Sequence, residues 1–166
     1  NGNAFIVPGG THHAGSNWGE GFCLLDDQAI AAKYLLNHKL AKRVLIVDLD
    51  VHQGNGTAEI FEKEDRVFTF SMHGDKNFPF RKEKSDLDIP LADGTKDEEF
   101  LNILSDKLPL IIKKHQPDFV FYLSGVDVLE SDKLGKLSLS KVACKQRDQI
   151  VFETCMKHSL PVQGSM

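Results

Sequence analysis

Short apolar runs recur along this chain, separated by longer segments of mixed polarity. The runs at residues 4–7, 44–47, 67–71 and 118–123 are rich in β-branched and aromatic residues and predict strands, and residues 160–163 form a further strand stub. Residues 44–47, Val-Leu-Ile-Val, are apolar at every position, which fits a strand covered on both faces. Between the runs, residues 27–38 have helical composition with charged flanks, and residues 57–63 follow a glycine-containing turn that ends at Gly56. Thr95 and Glu98 have the T-x-x-E spacing of a capping box ahead of Phe100, Leu101, Leu104 and Leu108, so a third helix is expected to start there. Pro109 should kink that helix or end its regular part, and Pro117 closes the connection. A fourth helix is predicted over residues 140–157. Residues 73–94 follow neither period and, with Gly74, Pro79, Pro90 and Gly94, read as a long functional loop over the sheet edge.

Strands alternating with helices predict an α/β fold, an open parallel sheet in three layers with helices on both faces. The chain opens almost at a strand and stops at residues 161–166 just as another should begin, so the sheet is expected to be incomplete at both ends.

Composition narrows the function more than the fold. A length of 166 residues with 41% hydrophobic and 27% charged residues suits a single globular domain over residues 1–166 and argues against disorder or a coiled coil. A net charge of −4 has the wrong sign for direct binding to nucleic acid or an anionic membrane. No apolar run approaches the roughly 20 residues of a spanning helix, and residues 1–8 lack the basic region of a signal peptide. Cys23, Cys144 and Cys155, an odd number at irregular spacing, fit free thiols in a reducing compartment. The expected location is the cytoplasm, or the nucleus as well in a eukaryote.

The chemistry concentrates after the second run, in Asp48-Leu-Asp50-Val-His52-Gln-Gly-Asn55-Gly-Thr. Spacing by two on an extended backbone sends Asp48, Asp50 and His52 to one side. Crowded carboxylates repel one another unless a cation or proton lies between them, and mixed Asp/His ligation suits zinc or another first-row ion. The same residues could instead be cap or turn residues with a histidine at a helix start. Two other runs end in matching chemistry, Gly9-Gly10-Thr11-His12-His13 and Ser124-Gly125-Val126-Asp127. In an open α/β sheet ligands bind outside the carboxyl ends of the strands, so three neighbouring strands are expected to deliver these groups to one crevice. Asp50, His52 and Asp127 then form three protein ligands with a fourth position open, the arrangement of a catalytic zinc site. His12 and His13 are candidates for general acid and base.

Gly-Gly-Thr-His12-His13-Ala, Gly21-Phe22-Cys23, the Asp48–Thr57 block and Ser-Gly-Val-Asp127 ahead of Asp132-Lys-Leu-Gly135 together resemble the zinc-dependent histone deacetylase superfamily. The resemblance extends to its bacterial and class IV-like members and to the related acetoin-utilisation and acetylpolyamine hydrolases, and it covers essentially the whole chain. It implies an arginase/deacetylase-like fold and one zinc ion on Asp50, His52 and Asp127. It makes His12 the first histidine of the catalytic pair, oriented by Asp48, and His13 the second. Phe22 becomes one wall of an acyl-lysine tunnel, with Phe78 or Phe80 opposite. A potassium ion is implied near Asp48, Asp50, His52 and Ser71.

Two departures from the family pattern stand out. Asn55 replaces an aspartate that many relatives pair with the second histidine, so His13 should be less basic. The resemblance places a Gly-Gly-Gly-Tyr turn after Met166, where this sequence ends, and neither Tyr34, expected on a helix, nor Tyr122, expected inside a strand, is placed to replace its hydroxyl. Losing one oxyanion donor costs about 10²–10³ in rate.

The expected activity is hydrolysis of an acetyl or other acyl group from lysine side chains, in a peptide or protein, or from a small acylated amine. The alternative is a metal-containing module that binds acyl-lysine or a small molecule with little turnover. An arginase-like two-metal hydrolase would need a D-x-D at the last ligand, which Asp127-Val-Leu-Glu130 does not supply. Glu20, Asp75, Asp86 and Asp88 could form an acidic rim for a basic substrate, or simply a solvated face.

Overall fold

The computed structural model describes residues 2–7 and 9–166; Asn1 and Pro8 lie outside the described residues. Six strands form one all-parallel sheet in the order β1-β6-β5-β2-β3-β4. They are β1 (Asn3–Ile6), β2 (Val44–Asp48), β3 (Val67–Gly74), β4 (Leu87–Leu91), β5 (Phe119–Leu123) and β6 (Val162–Ser165), with helices α1 (Asp27–Asn37), α2 (Asn55–Phe61), α3 (Asp97–His115) and α4 (Lys141–Lys157).

Alternation along β2 explains the three layers. Leu45 and Val47 face a core shared with Phe100, Leu104 and Leu108 of α3 and Ala143 and Val151 of α4. Val44 and Ile46 face the opposite side, with Ala29, Ala32 and Leu36 of α1 and Phe61 of α2. Every residue of β2 is buried, as a strand roofed on both faces requires.

Four expectations are revised. Residues 73–94 are not all loop, because Leu87–Leu91 adds to the sheet as β4, parallel to β3. Its exposed Pro90 is tolerated at an edge, where the missing N–H breaks no inner ladder. Pro109 lies inside α3, which runs on to His115. The carbonyl it leaves unbonded belongs to Ser105, an exposed residue that water can reach. Thr95 does not cap α3: the cap residue is Lys96, and the Thr95 hydroxyl is buried without a partner among the described residues. Asp97 instead ties the starts of the two helices together, accepting from the Ser140 amide at 2.8 Å and hydroxyl at 2.6 Å. Finally, the strand that ends near the two histidines is not next to β5, since β6 lies between them.

Among the described residues no helix is long and apolar enough to cross a membrane, and Cys23, Cys144 and Cys155 are free and buried.

Candidate metal centre and acyl cleft

The carboxyl ends of β2 and β5 lie side by side, paired to Asp48 and Leu123. Beyond that pair the β2 segment does not stay extended. Asp48 Oδ1 accepts from the Asp50 amide at 3.1 Å and Asp50 Oδ1 from the His52 amide at 2.8 Å, two successive Asx turns that curl the loop. Convergence therefore comes from turns, and the three groups separate into two clusters.

In the first cluster Asp48 turns toward His12, accepting from ring Nδ1 at 2.7 Å. In the second, His52 Nδ1 lies 3.0 Å from Asp50 Oδ1 and 3.0 Å from Asp127 Oδ2. One ligand atom from each of Asp50, His52 and Asp127 falls within 4.8 Å of the other two. Burial opposes a charge on His52, yet hydrogen bonds to Asp127 and Asp50 raise its pKa to about 10. A proton satisfies both carboxylates there, and a dication on the same three atoms would do so with twice the charge. The donor set, one imidazole nitrogen and two carboxylates, fits zinc.

The loop carrying Asp127 reaches this point because residue 125 has no side chain. A Cβ on Gly125 would overlap the Asp50 carboxylate. Asp127 Oδ1 also accepts from the Val51 amide at 3.1 Å, which joins the two loops.

His12 and His13 arrive from the other side. The loop before them is held by Asp27, which accepts from the Gly10 amide at 3.2 Å and from the Thr11 amide and hydroxyl, both at 2.9 Å. The His12 carbonyl in turn accepts from the first amides of α2, Gly56 at 3.0 Å and Thr57 at 3.3 Å. Burial alone would lower the His12 pKa, but the Asp48 carboxylate raises it to about 9. His13 moves the other way. Burial and the neighbouring His12 lower it to about 4, so it is neutral near pH 7.

Its tautomer follows from its neighbours. His13 Nδ1 lies 2.7 Å from Asn55 Oδ1, and Asn55 Nδ2 donates to Glu20 Oε1 at 2.5 Å. With the amide nitrogen engaged by Glu20, the amide oxygen faces His13 and must receive a ring N–H. His13 therefore carries its proton on Nδ1 and keeps a lone pair on Nε2.

A cleft of about 670 Å³ opens over these groups, lined by His12, His13, Asp50, His52 and Asp127 and walled by Phe22, Phe78 and Phe80. Phe78 is the deeper phenylalanine, edge-on to His13 with ring centroids 5.0 Å apart. Phe22 is fully exposed in a left-handed conformation (φ 67°), and Phe80 is 90% exposed, edge-on to Phe78 at 6.2 Å. Lys82 pins the Phe78 loop by donating to the carbonyls of Asp75, Asn77 and Pro79 at 3.1, 2.7 and 2.7 Å.

The profile of the histone deacetylase domain matches residues 1–164. The chain belongs to the histone deacetylase family. A crystal structure of a histone deacetylase homolog from Aquifex aeolicus superposes on 98% of the chain and 47% of its own, with a TM-score of 0.84 and 32% identity. An uncharacterized protein of Picosynechococcus is 47% identical over 161 residues, 97% of this chain and 54% of its own length. Histone deacetylase 2 of Arabidopsis thaliana is 31% identical over 162 residues, 96% of this chain and 42% of its own. The chain thus spans about half the length of the curated relatives it matches. The arginase/deacetylase-like fold expected from the sequence is the one observed.

Within this histone deacetylase domain, Ser71 is buried with its hydroxyl 2.9 Å from His73 Nδ1. Tyr34 lies on α1, and Tyr122 is buried in β5 with its hydroxyl on Asp148 at 2.5 Å. No acidic rim forms from the four carboxylates considered. Asp86 is engaged by the Thr69 amide and hydroxyl, Asp88 by Gln53 and the Ser85 amide, and of the four only Glu20 lines the cleft, beside Lys76 and Lys136.

Sequence reasoning passed over Glu20 as the partner of Asn55, Asp26 as the buried cap of α1, and Arg147 beneath the loops. Glu20 and Arg147 look like surface residues in the sequence. Only Asp26 carried a signal there, standing just before the helical run.

Proposed function

We propose that this domain holds one zinc ion on Asp50, His52 and Asp127 and forms the acyl-hydrolysing centre of a deacetylase acting on acetylated lysine or a related acylated amine. When bound there, zinc supplies a Lewis acid for the acyl carbonyl and for water. Support comes above all from His13, a neutral imidazole with a free Nε2 lone pair lining the same cleft as the three ligand atoms.

The residues divide the work by charge. His13 accepts the proton of the attacking water, and Asn55 holds its ring through Nδ1. His12, kept protonated by Asp48, adds positive charge beside the carbonyl oxygen as it becomes anionic. The proton taken by His13 passes to the amine nitrogen as the C–N bond breaks, leaving acetate and free amine. Phe22, Phe78 and Phe80 form apolar walls suited to the methylene stem of a lysine and exclude water around it. The potassium ion near Asp48, Asp50, His52 and Ser71 enters this proposal on the family resemblance alone.

The test is zinc content and acetate release measured together on the whole protein, with acetyl-lysine peptides and small acetylated amines as substrates. Asp127→Ala is expected to abolish both. Full zinc occupancy in Asp127→Ala would refute the ligand assignment, and substrate affinity without acetate would replace the enzyme by a binding module.

A further inference from the structure

Arg147, on α4, is the largest of the fully buried side chains among the described residues. A buried guanidinium is costly unless its donors are met. Here they are met by the loops that carry the metal ligands. Nη1 donates to the Gly125 carbonyl at 2.6 Å and to the Leu49 carbonyl at 3.3 Å, and Nη2 donates to the Ser124 carbonyl at 3.0 Å. Leu49 stands between Asp48 and Asp50, and Ser124 and Gly125 lead directly into Asp127.

The β2–β5 ladder stops just short of these residues. Its last pair is Asp48 with Leu123, extended by one bond from the Leu49 amide to the Leu123 carbonyl at 3.0 Å. One planar group then bridges the two segments where the sheet no longer does. Its outer side is anchored by Asp148, which accepts from Nε at 3.0 Å and lies 2.9 Å from Nη2, while the Tyr122 hydroxyl holds the same carboxylate.

We infer that Arg147 is a positioning residue of the metal centre, a clamp that sets the spacing of the Asp50 and Asp127 loops through their carbonyls. The inference rests on the zinc reading of Asp50, His52 and Asp127. A purely structural arginine would add stability without changing how tightly those three atoms hold a metal. Lysine keeps the charge but offers a point donor, which cannot span both loops as the guanidinium fork does.

The whole protein is compared with Arg147→Lys and Asp148→Asn for zinc Kd by competition with a chromogenic chelator, for the visible spectrum of the cobalt(II)-loaded form, and for the urea midpoint. Arg147→Lys is expected to bind zinc about 10–100-fold more weakly, the range for residues that orient metal ligands, with a shifted cobalt spectrum. Affinity within twofold of wild type and an unchanged spectrum overturn the inference, however far the midpoint falls. If Arg147→Lys does not fold, Asp148→Asn decides, since the Asp148 side chain is 42% exposed and the substitution weakens the outer anchor and its Tyr122 bond while leaving the three carbonyl contacts of Arg147 in place. A threefold or greater weakening then supports the clamp, and wild-type affinity overturns it. A wild-type protein that holds no zinc overturns the metal reading itself, and the clamp with it.

Discussion

His13 and Asn55 are joined by a 2.7 Å hydrogen bond whose direction is set from outside the pair. Because Glu20 takes the amide nitrogen of Asn55, the oxygen is left for His13, and the imidazole must donate from Nδ1. A neutral amide thereby orients the ring as a carboxylate would, and its hydrogen bond raises the ring's basicity without the charge that a carboxylate would add.

Asn55→Asp supplies the missing charge. A carboxylate at that distance raises the pKa of His13 from about 4, while exposed Glu20 can turn away into solvent. The acid limb of the kcat/KM profile of the whole protein for acetyl-lysine peptide is expected to move up by about one pH unit or more. An unmoved limb would mean that His13 is not the group titrating there.

Gly125→Ala places a methyl group against the Asp50 carboxylate. Such overpacking costs about 1–3 kcal/mol of stability, which a urea titration reads. Zinc affinity should fall further, by about tenfold or more, because a ligand itself is displaced. Equal zinc binding in a chelator competition would show that Asp50 does not depend on this close approach.

Phe78 and Phe80 should separate in kinetics. Phe78 touches the His13 ring, so Phe78→Ala should lower kcat as well as raise KM for an acetyl-lysine peptide. Phe80, 90% exposed and in contact with Phe78, should affect KM alone. A fall in kcat for Phe80→Ala equal to that for Phe78→Ala would rule out this division.

Asp26 predicts a pH-dependent stability. Burial raises its pKa from 3.8 to about 6, only partly offset by the hydrogen bonds from Thr57 and Ala29. The raised acid is protonated more readily in the folded than in the unfolded chain, so its contribution is full below about pH 4 and lost as pH rises to about 6. The loss is about 3 kcal/mol at most. Asp26→Asn retains a capping side chain and has no proton to lose. Its stability relative to wild type should therefore climb between these pH values, in urea unfolding at matched ionic strength, and a flat difference would contradict the shift.

Much of the fold was readable from residue patterns. The apolar run at Val44–Val47 read as a roofed strand, and alternation with helices pointed to parallel pairing. β4 was missed although Leu87, Ile89 and Leu91 alternate, because Pro90 reads as a loop residue until the strand is known to lie at an edge. Pro109 does not end α3, the second of the two outcomes expected of it, since the sequence does not reveal that Ser105 faces water.

The sequence by itself determined which residue types gather at the candidate metal centre. Asp50, His52, Asp127, His12 and His13 each follow an apolar run within a few residues, and in a parallel sheet that alone puts them at its carboxyl edge. Only the tertiary structure decided how they divide, with Asp48 turned to His12, the carboxyl groups of Asp50 and Asp127 on His52, Glu20 behind Asn55, and Arg147 under both loops. Those contacts join residues distant in the chain, and hydrogen-bond direction and burial, which set each proton's place, exist only once the chain has folded.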